Sequence, residues 1–163
     1  MSLDGYIAGP NGEADWIIMD PEIDFRALFD QFDTMLLGRK TFEAALKQSG
    51  GGGMAGMKTL VFSRTLSQEK HRQVVIVSEG AKELLTDLKK ESGKDIWLMG
   101  GGGLFRSLLD LGVVDTVEVA VIPVLLGGGI PLMPPPGKTA KLKLTKTKTY
   151  NKTGIVSLDY ALR

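Results

Sequence analysis

The sequence predicts a single α/β domain whose central sheet is mixed and mostly parallel, with helices on both faces and an antiparallel pair of strands at the C-terminus. Short apolar segments typical of buried strands alternate with segments of helical periodicity, and this alternation favours parallel strands joined by helices. Two strands, over 142–150 and 155–162, then follow one another directly. In the second, Val156, Leu158, Tyr160 and Leu162 alternate as in a half-buried strand.

The remaining elements follow from apolar periodicity and from capping residues. Buried strands are predicted over 34–37, 59–62, 74–77, 95–99 and 116–123, and a short strand over 3–8. Helices are predicted over 39–47, over 82–91 with Leu84, Leu85 and Leu88 inward, and over 104–111 with Leu104, Leu108 and Leu111 on one face. The segments 49–56, with five glycines, and 126–136, rich in glycine and proline, are predicted as loops.

One further helix is predicted from the triplet Asp20-Pro21-Glu22. Asp20 is expected to be the N-cap, Pro21 the first helical residue, and Glu22 part of an acidic first turn. Phe25, Leu28, Phe29 and Phe32 follow at helical spacing, so this helix is expected to bury an aromatic stripe.

Composition excludes several classes of function. The chain has 163 residues, which suits one domain, and no cysteine, which excludes disulfides, thiolate catalysis and cysteine-based zinc sites. A single histidine excludes a histidine-rich metal site, and a net charge of +1 argues against an extended nucleic-acid surface. No apolar run is long enough to span a membrane, and Met1 to Gly9 lack the features of a signal peptide, so we expect a cytoplasmic protein without membrane partners.

Two segments share the order buried strand, glycine, helix, which is typical of phosphate-binding loops. The first passes through Gly38, and the second through Gly100, Gly101, Gly102 and Gly103 into Leu104. Glycine lets the backbone approach a ligand, and the unpaired N–H groups at the start of the helix then face an anion. Because both turns follow parallel strands, we expect them at the carboxyl edge of the sheet, where they could hold one pyrophosphate from both sides.

Basic residues accompany these turns. Arg39 and Lys40 follow the first glycine, and Ser63-Arg64-Thr65 follows the next buried strand. Cationic side chains beside a pyrophosphate suit a 2′-phosphate, which favours NADPH over NADH. Each feature also has a simpler interpretation, because a glycine after a strand is commonly a turn and each cation is commonly a solvated surface charge. Neither the Rossmann fingerprint nor the Walker phosphate loop fits the glycine run.

Five motifs in order resemble a known family. They are Ser2-Leu3-Asp4-Gly5-Tyr6-Ile7-Ala8, Leu37-Gly38-Arg39-Lys40-Thr41-Phe42-Glu43, Val61-Phe62-Ser63-Arg64-Thr65-Leu66, Gly100-Gly101-Gly102, and Val114-Asp115 ahead of Pro123-Val124-Leu125-Leu126-Gly127. Together they resemble the reductase domain at the C-terminus of the bifunctional riboflavin-biosynthesis protein and its stand-alone relatives, within the dihydrofolate-reductase superfamily. The resemblance covers nearly the whole chain. It implies a dihydrofolate-reductase-like three-layer fold, NADPH as hydride donor, and a homodimer.

The resemblance also implies roles for individual residues. The cofactor phosphates are expected at Gly38, Arg39, Lys40 and Thr41 and at Gly100, Gly101, Gly102, Gly103 and Leu104, with a cis peptide joining Gly100 to Gly101. Ser63 and Arg64 match the loop at the adenosine phosphate, and Ala8 and Trp16 match the segment beside the nicotinamide. The family has a strand ahead of the Ser-Leu-Asp-Gly motif, so we expect residues upstream of Met1 to supply it. The zinc deaminase half of the bifunctional protein has no counterpart in this sequence.

Reduction of a C=N or C=O bond also needs a proton, which a carboxyl group near the ring can relay. The carboxylates in the expected region are Asp4, Asp15, Glu22 and Asp24. We favour Asp24 and Asp4 as catalytic residues. Asp24 is alternatively a solvated helix charge, and Asp4 either orients the substrate or caps a turn.

The sequence therefore predicts an NADPH-dependent reductase with a small pterin-like, aminopyrimidine, carbonyl or imine substrate, and with no metal. Three alternatives stay open: a true dihydrofolate reductase, a nucleotide-binding module without turnover, and a structural dimer whose glycines only permit tight packing.

Overall fold

The computed structural model describes residues 1–49, 53, 54 and 56–163. The strands are β1 (Tyr6–Ala8), β2 (Phe32–Gly38), β3 (Lys58–Phe62), β4 (Val75–Val77), β5 (Asp95–Gly100), β6 (Thr116–Val121), β7 (Ile130–Pro131), β8 (Leu142–Tyr150) and β9 (Ile155–Leu162). The α-helices are α1 (Phe25–Phe29), α2 (Arg39–Ser49), α3 (Ala81–Leu88) and α4 (Gly102–Asp110), and a 3₁₀ turn covers Gln68–Lys70. The described residues group into two compact units, one of 25–113 and one of 1–24 with 114–163. A single domain over 1–163 stays a prediction.

The unit of residues 25–113 is built on a four-stranded parallel sheet in the order β4-β3-β2-β5. Its two central strands are buried on both faces, because Leu36 and Leu60 project to one side and Leu37 and Val61 to the other, and all four are at most 4% exposed. Strands buried on both faces are typical of parallel sheets covered by helices. One face carries the core cluster of Met35, Leu37, Phe42, Val61 and Val74.

The second unit contains two antiparallel sheets, β6-β9-β8 and β1-β7. Its core cluster consists of Ile122, Tyr150 and Ile155, with Trp16 and Ile23 packed against it. The first residues also join this unit: Ser2 bridges Ile122 in parallel, and the carbonyl of Met1 accepts a hydrogen bond from the N–H of Ile122 at 2.8 Å. The predicted fold class, a parallel sheet with helices and a C-terminal antiparallel pair, is confirmed.

The helix predicted from Asp20 is wrong, since α1 begins only at Phe25 and Phe32 lies in β2. Asp20 is 2% exposed, and its carboxylate accepts hydrogen bonds from the N–H of Glu22 at 2.9 Å and the hydroxyl of Thr153 at 2.7 Å. The residue therefore caps a turn rather than a helix. Its hydrogen bond with Thr153 links that turn to the β8–β9 connection. The helix α1 buries no residue completely, although Phe29 packs on Trp97 with ring centroids 5.4 Å apart.

Two smaller predictions are also wrong. Leu84 is 36% exposed rather than inward, because α3 buries only Leu85 fully. The segment 126–136 is not entirely loop, because it contains β7, whose pairing with β1 is a long-range contact. The glycine loop predicted over 49–56 lies largely outside the described residues.

Candidate functional site

The two strand–glycine–helix turns lie side by side. The register of the neighbouring strands β2 and β5 aligns Leu37 with Gly100, so both strands end at the same edge of the sheet. A Cβ atom on Gly38 would lie 3.5 Å from the Cβ of Leu104 and 3.7 Å from the carbonyl oxygen of Gly100. The two turns therefore lie so close that the first carbon of a side chain at Gly38 would touch the second turn, and both lead directly into the starts of helices.

The turn after β5 leads into the start of α4, where Gly102 is buried and Gly103 is exposed. Gly100 has φ +123°, a conformation that side-chain-bearing residues rarely adopt, and the cis peptide expected between Gly100 and Gly101 is confirmed. Gly101 occupies the N-cap without a side chain to cap the helix, and its carbonyl accepts the N–H of Leu104 at 3.0 Å. The preceding N–H groups of the helix have no intrahelical partner. Beside them, a Cβ on Gly103 would meet no protein atom within 4 Å.

The turn after β2 carries the basic residues, and one of them is already paired. Arg39 forms an ion pair with Glu43 at 3.1 Å, one turn along α2, and both side chains are partly exposed. Lys40 is exposed, whereas Phe42 is fully buried and fixes the start of α2 against the sheet. An anion at this helix terminus would therefore compete with Glu43 for Arg39.

The loop after β3 lies next to the turn at Gly38, because the register aligns Gly38 with Phe62. Ser63 is 8% exposed, and its hydroxyl accepts the N–H groups of Thr65 and Leu66 at 3.2 and 3.1 Å. The side chain of Ser63 thus shapes the loop. Arg64 lies on the exposed side of the same turn. The two adjacent residues predicted for one phosphate therefore have different surroundings.

The residues expected beside a nicotinamide ring belong to the unit of 1–24 and 114–163. Ala8 ends β1 opposite Ile130, and a Cβ on Gly129 would overlap the Ala8 carbonyl oxygen. Trp16 packs on the core cluster of this unit, and its indole N–H donates to the carbonyl of Glu13 at 3.1 Å. The carboxylate of Glu13 in turn accepts the N–H of Asn11 at 2.9 Å.

Asp4 accepts hydrogen bonds from a second glycine-rich loop, which contains Gly127, Gly128 and Gly129. Its carboxylate accepts the N–H of Gly127 at 2.8 Å and that of Leu126 at 3.1 Å. A hydrogen bond from the side chain of Ser2, followed by these two backbone N–H groups, holds the pKa of Asp4 below its ordinary value. Of the two interpretations of Asp4, the geometry therefore favours the turn cap, since a carboxylate held in its ionised form is a weak proton donor.

The other carboxylates have distinct surroundings. Asp24 is exposed and directly precedes α1, and Asp15 is exposed beside Trp16. Glu22 pairs with Lys152 at 3.7 Å. The hydroxyl of Thr153, then the N–H of Glu22, lowers the pKa of Asp20. No group of three or more histidine, cysteine or acidic residues in the described part of the chain could hold a metal ion.

Sequence reasoning missed the contact between β1 and the loop of Gly127, Gly128 and Gly129. The three consecutive glycines indicate a backbone constraint in this loop, but their partners are Asp4 and Ala8, more than a hundred residues away along the chain.

No helix among the residues described is long and apolar enough to cross a membrane.

Comparison with known proteins places these features in a family. The model of the RibD C-terminal domain matches residues 1–156. An uncharacterized protein of Bacillus subtilis, YyaP, is 36% identical over 98% of this chain and 90% of its own length. A second from the same organism, YwjB, is 32% identical over 98% of this chain and 92% of its own.

Solved structures share the fold. A Shewanella sp. PV-4 structure that carries the description "putative riboflavin biosynthesis protein" superposes with a TM-score of 0.83 at 24% identity, over 100% of this chain and 95% of its own. The deaminase/5-amino-6-(5-phosphoribosylamino)uracil reductase of Thermotoga maritima gives 0.71 at 16% identity, over 99% of this chain and 54% of its own. The chain described above, with its paired glycine turns, belongs to the RibD C-terminal domain family.

Proposed function

We propose that this protein is an NADPH-dependent reductase of a small heteroaromatic, carbonyl or imine substrate. The observation that carries the proposal is the close approach of the turns at Gly38 and Gly100, which brings the starts of α2 and α4 together at the carboxyl edge of a parallel sheet. Two helix N-termini at one edge attract an anion through unpaired N–H groups and aligned peptide dipoles. A dinucleotide pyrophosphate suits such a pair of turns.

The neighbouring loop supports NADPH over NADH. The loops after β5, β2 and β3 follow adjacent strands, so they span about 10 Å at the ordinary strand spacing. With the pyrophosphate between the first two, Arg64 on the third is available for a 2′-phosphate, to which an arginine donates paired hydrogen bonds. The empty space around Gly103 leaves room for a ligand against the helix terminus. The residues present therefore fit the cofactor.

When bound, NADPH supplies a hydride to the carbon of a C=N or C=O bond. In this proposal the helix N–H groups, Lys40 and Arg64 hold the phosphates. The proton for the substrate heteroatom comes from a carboxyl group. We assign that role to Asp24 rather than Asp4, because Asp4 is held ionised by Ser2 and the 126–127 backbone.

The substrate proposed first is an aminopyrimidine. This choice rests on the family, since the Thermotoga maritima relative is described as a 5-amino-6-(5-phosphoribosylamino)uracil reductase. Dihydrofolate is the next to test, because a pterin presents a similar C=N bond. The absence of cysteine excludes a cysteine-ligated zinc centre in this chain, so reduction alone is proposed.

Thermal unfolding with NADPH and with NADH tests the cofactor. Saturation a hundredfold above Kd stabilises a protein by about 2.7 kcal/mol, so NADPH should raise the Tm by several degrees and NADH by less. No shift with either nucleotide would overturn the proposal. Loss of nicotinamide absorbance with aminopyrimidine ribosyl phosphates, dihydrofolate and simple carbonyls then tests turnover. Binding without oxidation across this panel would favour a nucleotide-binding module.

A further inference from the structure

An asparagine–glycine pair lies in the turn that follows β1. Gly9, Pro10, Asn11 and Gly12 form a β-turn, which is closed by a hydrogen bond of 3.0 Å from the N–H of Gly12 to the carbonyl of Gly9. Asn11 and Gly12 are both exposed, and a Cβ on Gly12 would meet no atom within 4 Å apart from its chain neighbours. Water can therefore reach both residues, and the proposed reductase gives this turn no role.

The pair is a place where a chain can change covalently without an enzyme. Asparagine is thermolabile, because the backbone nitrogen of the next residue can attack its side-chain carbonyl carbon. A bond then forms between that nitrogen and Cγ, the Cγ–Nδ2 bond breaks, and ammonia leaves with the proton of the backbone N–H. Water opens the cyclic imide at either carbonyl, which gives aspartate or isoaspartate. A following glycine favours the attack, since it has no Cβ to shield its nitrogen.

Hydrogen bonds hold both groups that must react. The side-chain amide of Asn11 donates from Nδ2 to Oε1 of Glu13 at 2.7 Å, and the backbone N–H of Asn11 donates to Oε2 of the same carboxylate at 2.9 Å. The attacking nitrogen, that of Gly12, donates to the carbonyl of Gly9. A charge-assisted bond to a carboxylate raises the electron density on the amide nitrogen, so the amide carbon is less electrophilic. The folded turn therefore opposes the reaction that its sequence favours.

Glu13 organises the turn as a whole. Its carbonyl accepts the N–H of Gly9 at 2.8 Å and the indole N–H of Trp16 at 3.1 Å. A Cβ on Gly9 would overlap the Glu13 carboxylate, so this side chain lies folded over the turn. The hydrogen bond from the Asn11 amide is the largest cause that holds the pKa of Glu13 below its ordinary value. Asn11 and Glu13 therefore stabilise one another as a neutral donor and an anion.

Deamidation of Asn11 would put two anions where a donor now meets an acceptor. The new carboxylate would replace an amide that lies 2.7 Å from the carboxylate of Glu13, and like charges at that distance repel. An isoaspartate would also add a carbon atom to the main chain and lengthen the turn. Both changes would separate Glu13 from the turn and disturb the hydrogen bond between its carbonyl and Trp16.

We propose that Asn11 is a site of spontaneous deamidation, that Glu13 slows the reaction, and that the product releases the turn of residues 9–13. The reaction needs only water as co-reactant, so the proposal does not depend on the reductase. Asn151 is the other asparagine of the chain and is also exposed. It precedes Lys152, whose side chain shields the backbone nitrogen, so Asn151 should stay intact and serves as an internal control.

Mass spectrometry of the native chain, incubated at neutral pH with and without guanidinium chloride, tests the site and its restraint. The peptide with Asn11 should gain the mass difference between an acid and an amide, and the peptide with Asn151 should not. Unfolding breaks the hydrogen bonds to Glu13, so Asn11 should deamidate about tenfold faster in the denaturant. The proposal fails if Asn151 converts as fast as Asn11, or if folding does not slow the reaction at Asn11.

A substitution separates the carboxylate from the rest of the fold. Glu13→Ala should deamidate at Asn11 about tenfold faster than the folded native chain. Glu13 is exposed, so circular dichroism should show the native fold. Glu79→Ala removes another exposed glutamate and should keep the native rate. An equal rate in a folded Glu13→Ala would overturn the restraint, and so would a slower one, because the carboxylate would then act as a base.

Asn11→Asp reproduces one product and tests the release of the turn. The chain has two tryptophans, so NMR gives two indole N–H signals. The signal of Trp16 should shift in this variant, and that of Trp97 should not. Asn11→Gln is the control, since it keeps an amide and its longer side chain closes the ring far more slowly; it should shift the Trp16 signal less and should not deamidate. An unchanged Trp16 signal in Asn11→Asp would overturn the proposed release.

Discussion

The two glycine runs differ in what their glycines contact. In the run 127–129, Gly127 has φ +68° and donates its N–H to Asp4, while Gly129 has φ +150° and lies against the Ala8 carbonyl. In the run 100–103, Gly100 alone has a positive φ, and a Cβ on Gly103 would extend into open space. Packing within the chain accounts for most of the first run. It does not account for Gly103 at the open end of a helix.

This difference distinguishes two reasons why a position can require glycine. Where the chain itself leaves no room, a larger residue reduces stability. Where the room is open, a larger residue costs the fold nothing and affects only whatever enters that space. Substitutions in the run 127–129 should therefore reduce the stability of the fold, whereas substitutions in the run 100–103 should reduce ligand affinity. The largest effect should be the loss of stability in the run 127–129.

Gly129→Ala should reduce the free energy of unfolding by about 2–4 kcal/mol, because its Cβ would overlap a backbone oxygen and its φ is unfavourable for alanine. Urea denaturation measures the loss. Gly128→Ala is the matched control, since no atom lies within 4 Å of its Cβ, and it should stay close to the native value. Equal effects at the two positions would remove the packing explanation.

Gly103→Ala should behave in the opposite way. Its Cβ meets no protein atom and alanine is the better helix former, so stability should rise by about 0.5–1 kcal/mol. The affinity for NADPH should fall about tenfold, because the added methyl group holds the phosphates away from the helix N–H groups. Calorimetric titration measures the change. Unchanged affinity would mean that no ligand uses the start of α4.

Arg64→Ala should weaken NADPH binding about tenfold and leave NADH binding unchanged, since only the first carries the 2′-phosphate. Stability should not change, because Arg64 is exposed. Arg72→Ala, which removes another exposed arginine, is the control. A parallel loss for both nucleotides would place Arg64 away from the 2′-phosphate.

The smallest effect concerns pH and belongs to the run 127–129 alone. Hydrogen bonds lower the pKa of Asp4 in the folded chain, so the unfolded chain binds more protons in the window below the ordinary value near 4. The stability that Asp4 contributes is therefore present above that ordinary value and is lost as the pH falls through the folded pKa. Asp4→Asn should flatten this part of the curve of unfolding free energy against pH. The affinity of the protein for the adenosine bisphosphate half of NADPH, added alone, should stay unchanged. An identical acid limb in the variant would show that Asp4 does not anchor Leu126 and Gly127.

The parallel sheet was largely predictable because its signals are local. The apolar run before Gly38 and the one before Gly100 mark a strand end and a helix start within a few residues, and the structure places those turns together. The helix predicted at Asp20 was wrong for the opposite reason. A capping pattern is read over four residues, but the carboxylate bonds to Thr153, 133 residues away. The short strand β7 and the anchor at Asp4 likewise depend on distant partners.

The pairing of β8 with β9 shifts between Leu144 and Lys146, so Thr145 is an extra residue in β8. This extra residue makes the length of β8 matter more than its composition. Most substitutions on so exposed a strand should be tolerated, because eight of its nine residues are exposed. Removal of one residue before Lys146 would be different, since it would exchange the sides on which every preceding or following side chain emerges. In a random library of this strand, folded variants should therefore include many substitutions and few insertions or deletions.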